Sequence, residues 1–171
     1  KQKNTQPVQK ITIVPRTMGS LGYTMQMPEE EHYLMTKDEI IEEIVTLLAG
    51  RSAEELIFNT VTTGAANDIE RATELARAMV TRFGMSDEFD MMALERESNM
   101  YLNGKTVMIC SDDTGSRADA EVLSIIKSCH KKASDILREN IDKLHKISDF
   151  LIEKETISGE EFMRILNETD N

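Results

Sequence analysis

Tryptophan is absent from this sequence and all aromatic residues together make up only 5% of it, so a core built around large rings is excluded. Cysteine is scarce. Cys110 and Cys129 form no Cys-x-x-Cys pair, which excludes a zinc ribbon and a dithiol redox motif and leaves two free thiols suited to a reducing cytoplasm. Only three histidines occur, His32, His130 and His145, and none is paired with another at the i, i+4 spacing of a helical metal motif. No apolar run approaches the ~20 residues that cross a bilayer, and Lys1 to Gln6 is too polar for a signal peptide, so the chain is expected to be soluble. Positive charge is also in deficit, with 20 Lys and Arg against 31 Asp and Glu and a net charge of -11. That balance excludes nucleic acid as an expected partner, because a phosphate backbone requires clustered cations to displace its counterions. Lys1, Lys3, Lys10 and Arg16 precede the first acid, Glu29, an asymmetry that belongs to solvated faces.

What is present is enough for one compact core: 171 residues, 40% of them hydrophobic, drawn from Leu, Ile, Val, Ala and 11 adaptable Met. The composition favours packed helices, and the expected class is mainly α with a small β-hairpin or sheet near the N-terminus. Val8 to Val14 is β-branched, with Ile11 and Ile13 on one face, and Pro15 ends it. From Leu21 to Met27, Leu21, Tyr23, Met25 and Met27 alternate with Gly22, Thr24 and Gln26 before Pro28. The two runs predict a hairpin through the Thr17 to Ser20 loop.

Thr36 with Glu39 is a capping-box pair, followed at helical spacing by Ile40, Ile41, Ile44, Val45, Leu47 and Leu48, and the helix is expected to reach Phe58. A turn at Asn59 to Thr63 leads to a second helix over about Gly64 to Phe83, closed by Gly84. Thr62 or Thr63 could cap its start, and so could Asn67 with Glu70. Met85 to Arg117 lacks a sustained period and reads as a long irregular segment with room for one short hairpin. Two helices are expected from Ala118 to Leu137 and from Ile141 to Leu151, as antiparallel partners, and Ser158 with Glu161 caps a short last helix.

Asp68 stands out chemically, because Asp68, Ala72, Leu75 and Met79 follow i, i+4, i+7, i+11 spacing and place a carboxylate on an apolar stripe. Burying an unpaired charge costs several kcal/mol even after relaxation. Asp68 is therefore expected to be paired, hydrogen-bonded, metal-bound or stabilised by the positive end of its helix. Glu54 and Glu55 invite an acid/base reading, but on a helix they splay about 100° apart and read as a solvated edge beside Arg51. The three histidines read as surface or satisfied residues.

The segment Thr62-Thr63-Gly64-Ala65-Ala66-Asn67-Asp68-Ile69-Glu70-Arg71-Ala72-Thr73, continued through Leu75 to Val80 and Phe83-Gly84-Met85-Ser86, resembles the third-ligand helix of FtsH-type ATP-dependent zinc metalloproteases. Pro7 to Arg16, Leu21 to Pro28 and Ala49-Gly50-Arg51-Ser52-Ala53-Glu54-Glu55 agree with the same family in the same order. The resemblance implies a peptidase domain over residues 1–171, N-terminally truncated, with a zinc-site lobe at 1–116 and a C-terminal helical part at 117–171. It implies that Asp68 is a zinc ligand and that Gly22, Tyr23, Thr24 and Met25 lie on a substrate-binding edge strand. It also implies a His-Glu-x-x-His helix just upstream, carrying two further ligands and the Glu base, so the chain alone is expected to be catalytically incomplete. Protein substrates, an ATP-using module, a homo-hexamer and a membrane anchor placing the protease on the cytoplasmic face are implied for the full-length protein. The competing expectation is a non-enzymatic helical ring-assembly scaffold that has lost the metal.

Overall fold

In a computed structural model, the described residues are 2–15, 22–26, 34–97 and 106–168. Among the described residues five α-helices dominate and the strands are short, as the mainly α expectation requires. Two compact units form, one from Lys1–Leu34 with Ile136–Asn171, the other from Met35–Asp135. Among the described residues no helix is long and apolar enough to cross a membrane.

In the first unit, β1 (Val8–Thr12) pairs antiparallel with β2 (Tyr23–Gln26), in register Thr12 with Tyr23 and Ile11 with Thr24. The expected hairpin strands are thus present, while the Thr17 to Ser20 loop lies outside the described residues. Strand β5 (Thr156–Ser158), not foreseen from the sequence, pairs antiparallel with the other side of β1, giving the order β2-β1-β5 among the described residues. Three residues are too few for a period. Its anchor is Ile157, buried at 1% exposure. On β1 the buried residue is Thr12, and Ile13 is 42% exposed. The Thr12 hydroxyl escapes the usual cost of polar burial because it lies 2.7 Å from the Thr156 hydroxyl and 3.2 Å from the Glu155 carbonyl oxygen.

Ser158 ends β5 and caps α5 (Gly159–Asn167). Its hydroxyl accepts from Glu161 N at 3.2 Å, while the Glu161 carboxylate accepts from Ser158 N at 2.8 Å. The expected capping box therefore forms. Gly159 is required at this junction, since a Cβ there would collide with the Val8 carbonyl oxygen. Helix α4 (Ile141–Lys154) packs mainly on α5 and β5, where the sequence suggested a partnership with the preceding helix.

The second unit is built on α1 (Lys37–Phe58) and α2 (Ala66–Thr81). Thr36 and Glu39 start α1 with reciprocal bonds, and Asn59 ends it at φ 49°, donating to the Glu55 carbonyl. Ile40, Ile44, Val45, Leu47 and Leu48 are buried on α1, and Ala72, Ala76, Met79 and Val80 on α2. The alanines at i, i+4 spacing allow the two helices to approach closely. Helix α2 stops two residues before its expected end, and Gly84 takes φ 61° while Phe83 N and Met85 N turn back to the Ala78 and Met79 carbonyls.

Among the described residues of the irregular stretch, β3 (Glu95–Glu97) pairs antiparallel with β4 (Thr106–Met108), beside the fully buried Leu94. Helix α3 (Asp112–Glu139) begins six residues earlier than its apolar pattern suggests. Ser111 caps it, accepting from Thr114 N at 3.3 Å, and Asp112 and Asp113 face the positive end of the helix. Those terms offset the roughly 1 kcal/mol cost of Gly115 within the first turn.

Candidate metal centre

The approach to Asp68 begins on α1. Ser52 is buried and its hydroxyl donates to the Leu48 carbonyl at 3.1 Å, so this face of the helix is committed to packing. On either side of Ser52 in the sequence, Arg51 and Glu54 reach across to the connection that precedes α2. Glu54 Oε1 accepts from the Thr62 hydroxyl at 2.6 Å and Oε2 from Thr62 N at 3.3 Å. Arg51 donates to the Thr62 carbonyl oxygen at 2.6 Å and approaches Glu54 Oε2 at 3.6 Å. The solvated-edge reading is therefore corrected for Glu54, whose side chain is only 26% exposed. The hydroxyl bond from Thr62, its backbone N–H and, less strongly, the Arg51 charge hold the Glu54 carboxyl below the usual carboxylate range, against a smaller opposing effect of burial.

Thr62 in turn caps a 3-10 turn at Thr63–Ala65, accepting from Gly64 N at 3.2 Å, and this turn feeds directly into α2. Of the alternative caps, the Thr62 arrangement is the one formed; α2 itself has Ala65 at its N-cap and no side-chain capping bond. Ala65 is buried and anchors the turn.

Asp68 is the third residue of α2, half-buried, in the first turn. Its position matches the helix-end expectation, since a carboxylate there is favoured by typically 0.3–1 kcal/mol. Yet among the described residues no hydrogen bond or ion pair holds it. A half-buried carboxylate without a protein partner is chemically suited to a divalent cation, and zinc accepts such oxygen ligands. The remaining ligands are not supplied nearby: among the described residues no group of three His, Cys, Asp or Glu is arranged to hold a metal. Asp68 fits one ligand of such a site.

His32 lies outside the described residues, and His145 is exposed. His130 Nε2 is buried and lies 3.2 Å from Glu55 Oε2 without an aligned hydrogen bond, a close approach of α3 to α1 that the sequence did not reveal. A concavity of about 270 Å³ lined by Lys37, Met79, Glu121, Cys129 and Lys132 does not include Asp68.

Gly22 to Met25 fall in the other compact unit, on and beside β2, an outer strand of its sheet. Gly22 has a packing reason of its own: a Cβ there would lie 2.5 Å from the Thr12 carbonyl oxygen. Tyr23 and Thr24 pair with Thr12 and Ile11, and Met25 is 45% exposed.

Residues 1–165 match the model of peptidase family M41. The chain is 60% identical over 163 residues to the ATP-dependent zinc metalloprotease FtsH of Clostridium perfringens, covering 95% of this chain and 23% of that protein. It is 54% identical over 165 residues to the protein of the same name from Lancefieldella parvula, covering 96% and 26%. To that of Thermotoga maritima it is 44% identical over 168 residues, covering 96% and 28%. The chain thus spans about a quarter of the length of the curated relatives it matches. By the extent of the family match, the chain belongs to peptidase family M41.

Proposed function

We propose that this chain is the protease domain of a zinc metalloendopeptidase that degrades protein substrates, with Asp68 as one of its metal ligands. The observation that carries the assignment is the half-buried Asp68 carboxylate at the start of α2, which has no protein partner among the described residues. The relatives are named as ATP-dependent zinc metalloproteases, which supports zinc as the metal and ATP as the energy source of the whole protein. A zinc ion held by three protein ligands polarises a peptide carbonyl and lowers the pKa of water in its open position. This chain's own contribution is positional: α2 fixes one oxygen donor, and β2 offers main chain to an extended substrate.

Binding by strand addition suits a protease of many substrates, because main-chain hydrogen bonds read no side chain. The outer position of β2 supports that role for Gly22, Tyr23, Thr24 and Met25. The zinc-site lobe at 1–116 and the helical part at 117–171 are a division by role within this proposal. Two His ligands and the Glu base belong to a His-Glu-x-x-His segment that this sequence does not contain. The chain alone is accordingly catalytically incomplete. In the full-length protein the domain works in a membrane-anchored homo-hexamer on the cytoplasmic face, a reading supported by the family resemblance.

The test is zinc binding and casein cleavage by the chain alone. Affinity no better than about micromolar and no cleavage are expected from a single ligand. A tight one-to-one zinc site would overturn the incomplete-site reading.

A further inference from the structure

We propose that Arg51 and Glu54 are positioning residues for Asp68, acting through Thr62, which they grip at its N–H, its carbonyl oxygen and its hydroxyl together; this rests on the reading of Asp68 as a metal ligand. The connection between α1 and α2 has little else to fix it. Residues 58–63 are all exposed, with Phe58 at 71% and Val61 at 58%, so no apolar side chain pins the chain between the end of α1 and the buried Ala65. An unpinned connection would let the first turn of α2 fray, because no side chain caps that helix directly.

The clasp substitutes for a cap. Glu54 uses both carboxylate oxygens on one residue, and the Thr62 hydroxyl, while donating to Glu54, accepts from Gly64 N and so starts the 3-10 turn. From that turn the backbone runs unbroken into α2, where Asp68 is the third residue. A metal ligand must be held within about 0.5 Å of its productive place, so freedom at Thr62 would be passed on to the donor oxygen. An isolated exposed ion pair would carry little of this burden. Three charge-assisted bonds converging on one residue hold geometry far better.

The test compares Glu54→Ala, Glu54→Gln, Thr62→Val and Thr62→Ser in the full-length protein. Zinc affinity is read by competition with a chromophoric chelator, and ligand geometry by the visible spectrum of the cobalt-substituted protein. Glu54→Ala and Thr62→Val are expected to weaken zinc about tenfold, in line with residues that orient metal ligands, and to alter the cobalt spectrum. Thr62→Ser, which keeps the hydroxyl, should restore affinity to within about twofold of the parent, a rescue that loss of general stability would not show. Glu54→Gln, which retains one acceptor oxygen, should fall between and serves if Glu54→Ala does not fold. Parental zinc affinity and cobalt spectrum in folded Glu54→Ala or Thr62→Val would overturn the proposal. Asp68→Asn with undiminished zinc affinity would instead remove the ligand assignment beneath it.

Discussion

Replacing Gly22 by alanine tests how tightly β2 is seated. The new Cβ would stand 2.5 Å from the Thr12 carbonyl oxygen and 3.1 Å from Ile13 Cα, and both obstacles are main chain that no rotamer change can clear. The strands must separate by several tenths of an ångström at the Tyr23 and Thr12 pair, and overpacking of this kind costs about 1–3 kcal/mol. For a chain of this length each kcal/mol lowers Tm by about 2–4 °C, so a fall of between about 2 and 12 °C is expected. Amide exchange should quicken across Val8–Thr12 and Tyr23–Gln26 while the amides of α1 and α2 keep their protection. If β2 holds extended substrate as proposed, this variant of the full-length protein should raise KM for unfolded substrates more than it lowers kcat. An unchanged Tm with unchanged exchange in both strands would refute the close-approach argument.

Cys129 is buried and its thiol is pushed up by desolvation, so it should react with a disulfide reagent more slowly than Cys110 in the native chain, with equal rates in denaturant. Ile44, with no exposed surface, should cost about 2–5 kcal/mol on replacement by alanine, measured by urea unfolding. Glu161 is held below the usual carboxylate range by the N–H and hydroxyl of Ser158. Its stabilising contribution is thus fully present above the pKa it has when unfolded and is lost as pH falls through its lower folded value. Acid titration followed by exchange at the start of α5 should show that loss, and Glu161→Gln should abolish this pH dependence.

Much of the fold was legible because it is written in local signals. Thr36 with Glu39 and Ser158 with Glu161 are capping pairs complete within four residues, and both form. Gly84 was readable as a helix stop because few other residues accept its positive φ. The strand β5 was not readable, since its partner β1 lies at the opposite end of the sequence and Ile157 alone carries its burial. The start of α3 is hidden in the sequence because Gly115 and the Asp and Ser around it resemble a loop, and only the fold brings out the Ser111 cap. Asp68 was visible as a carboxylate on an apolar stripe. Its supporting residues were not, because the bonds from Glu54 and Arg51 to Thr62 depend on how the α1–α2 connection turns back, and spacing along a single helix carries no trace of that.

Metal binding by Asp68 is tested most directly by the zinc content of folded Asp68→Asn in a form of the protein that carries a His-Glu-x-x-His segment. Asparagine keeps the shape of the side chain, removes its charge and exchanges one acceptor oxygen for a donor NH2. Since no protein partner among the described residues is lost, the stability cost should stay within the 0.3–1 kcal/mol typical of a first-turn carboxylate. A folded protein that has lost both its bound zinc and its proteolysis is the expected result. A full equivalent of zinc with normal cleavage would contradict it and leave Asp68 as no more than a well-placed helix-end residue.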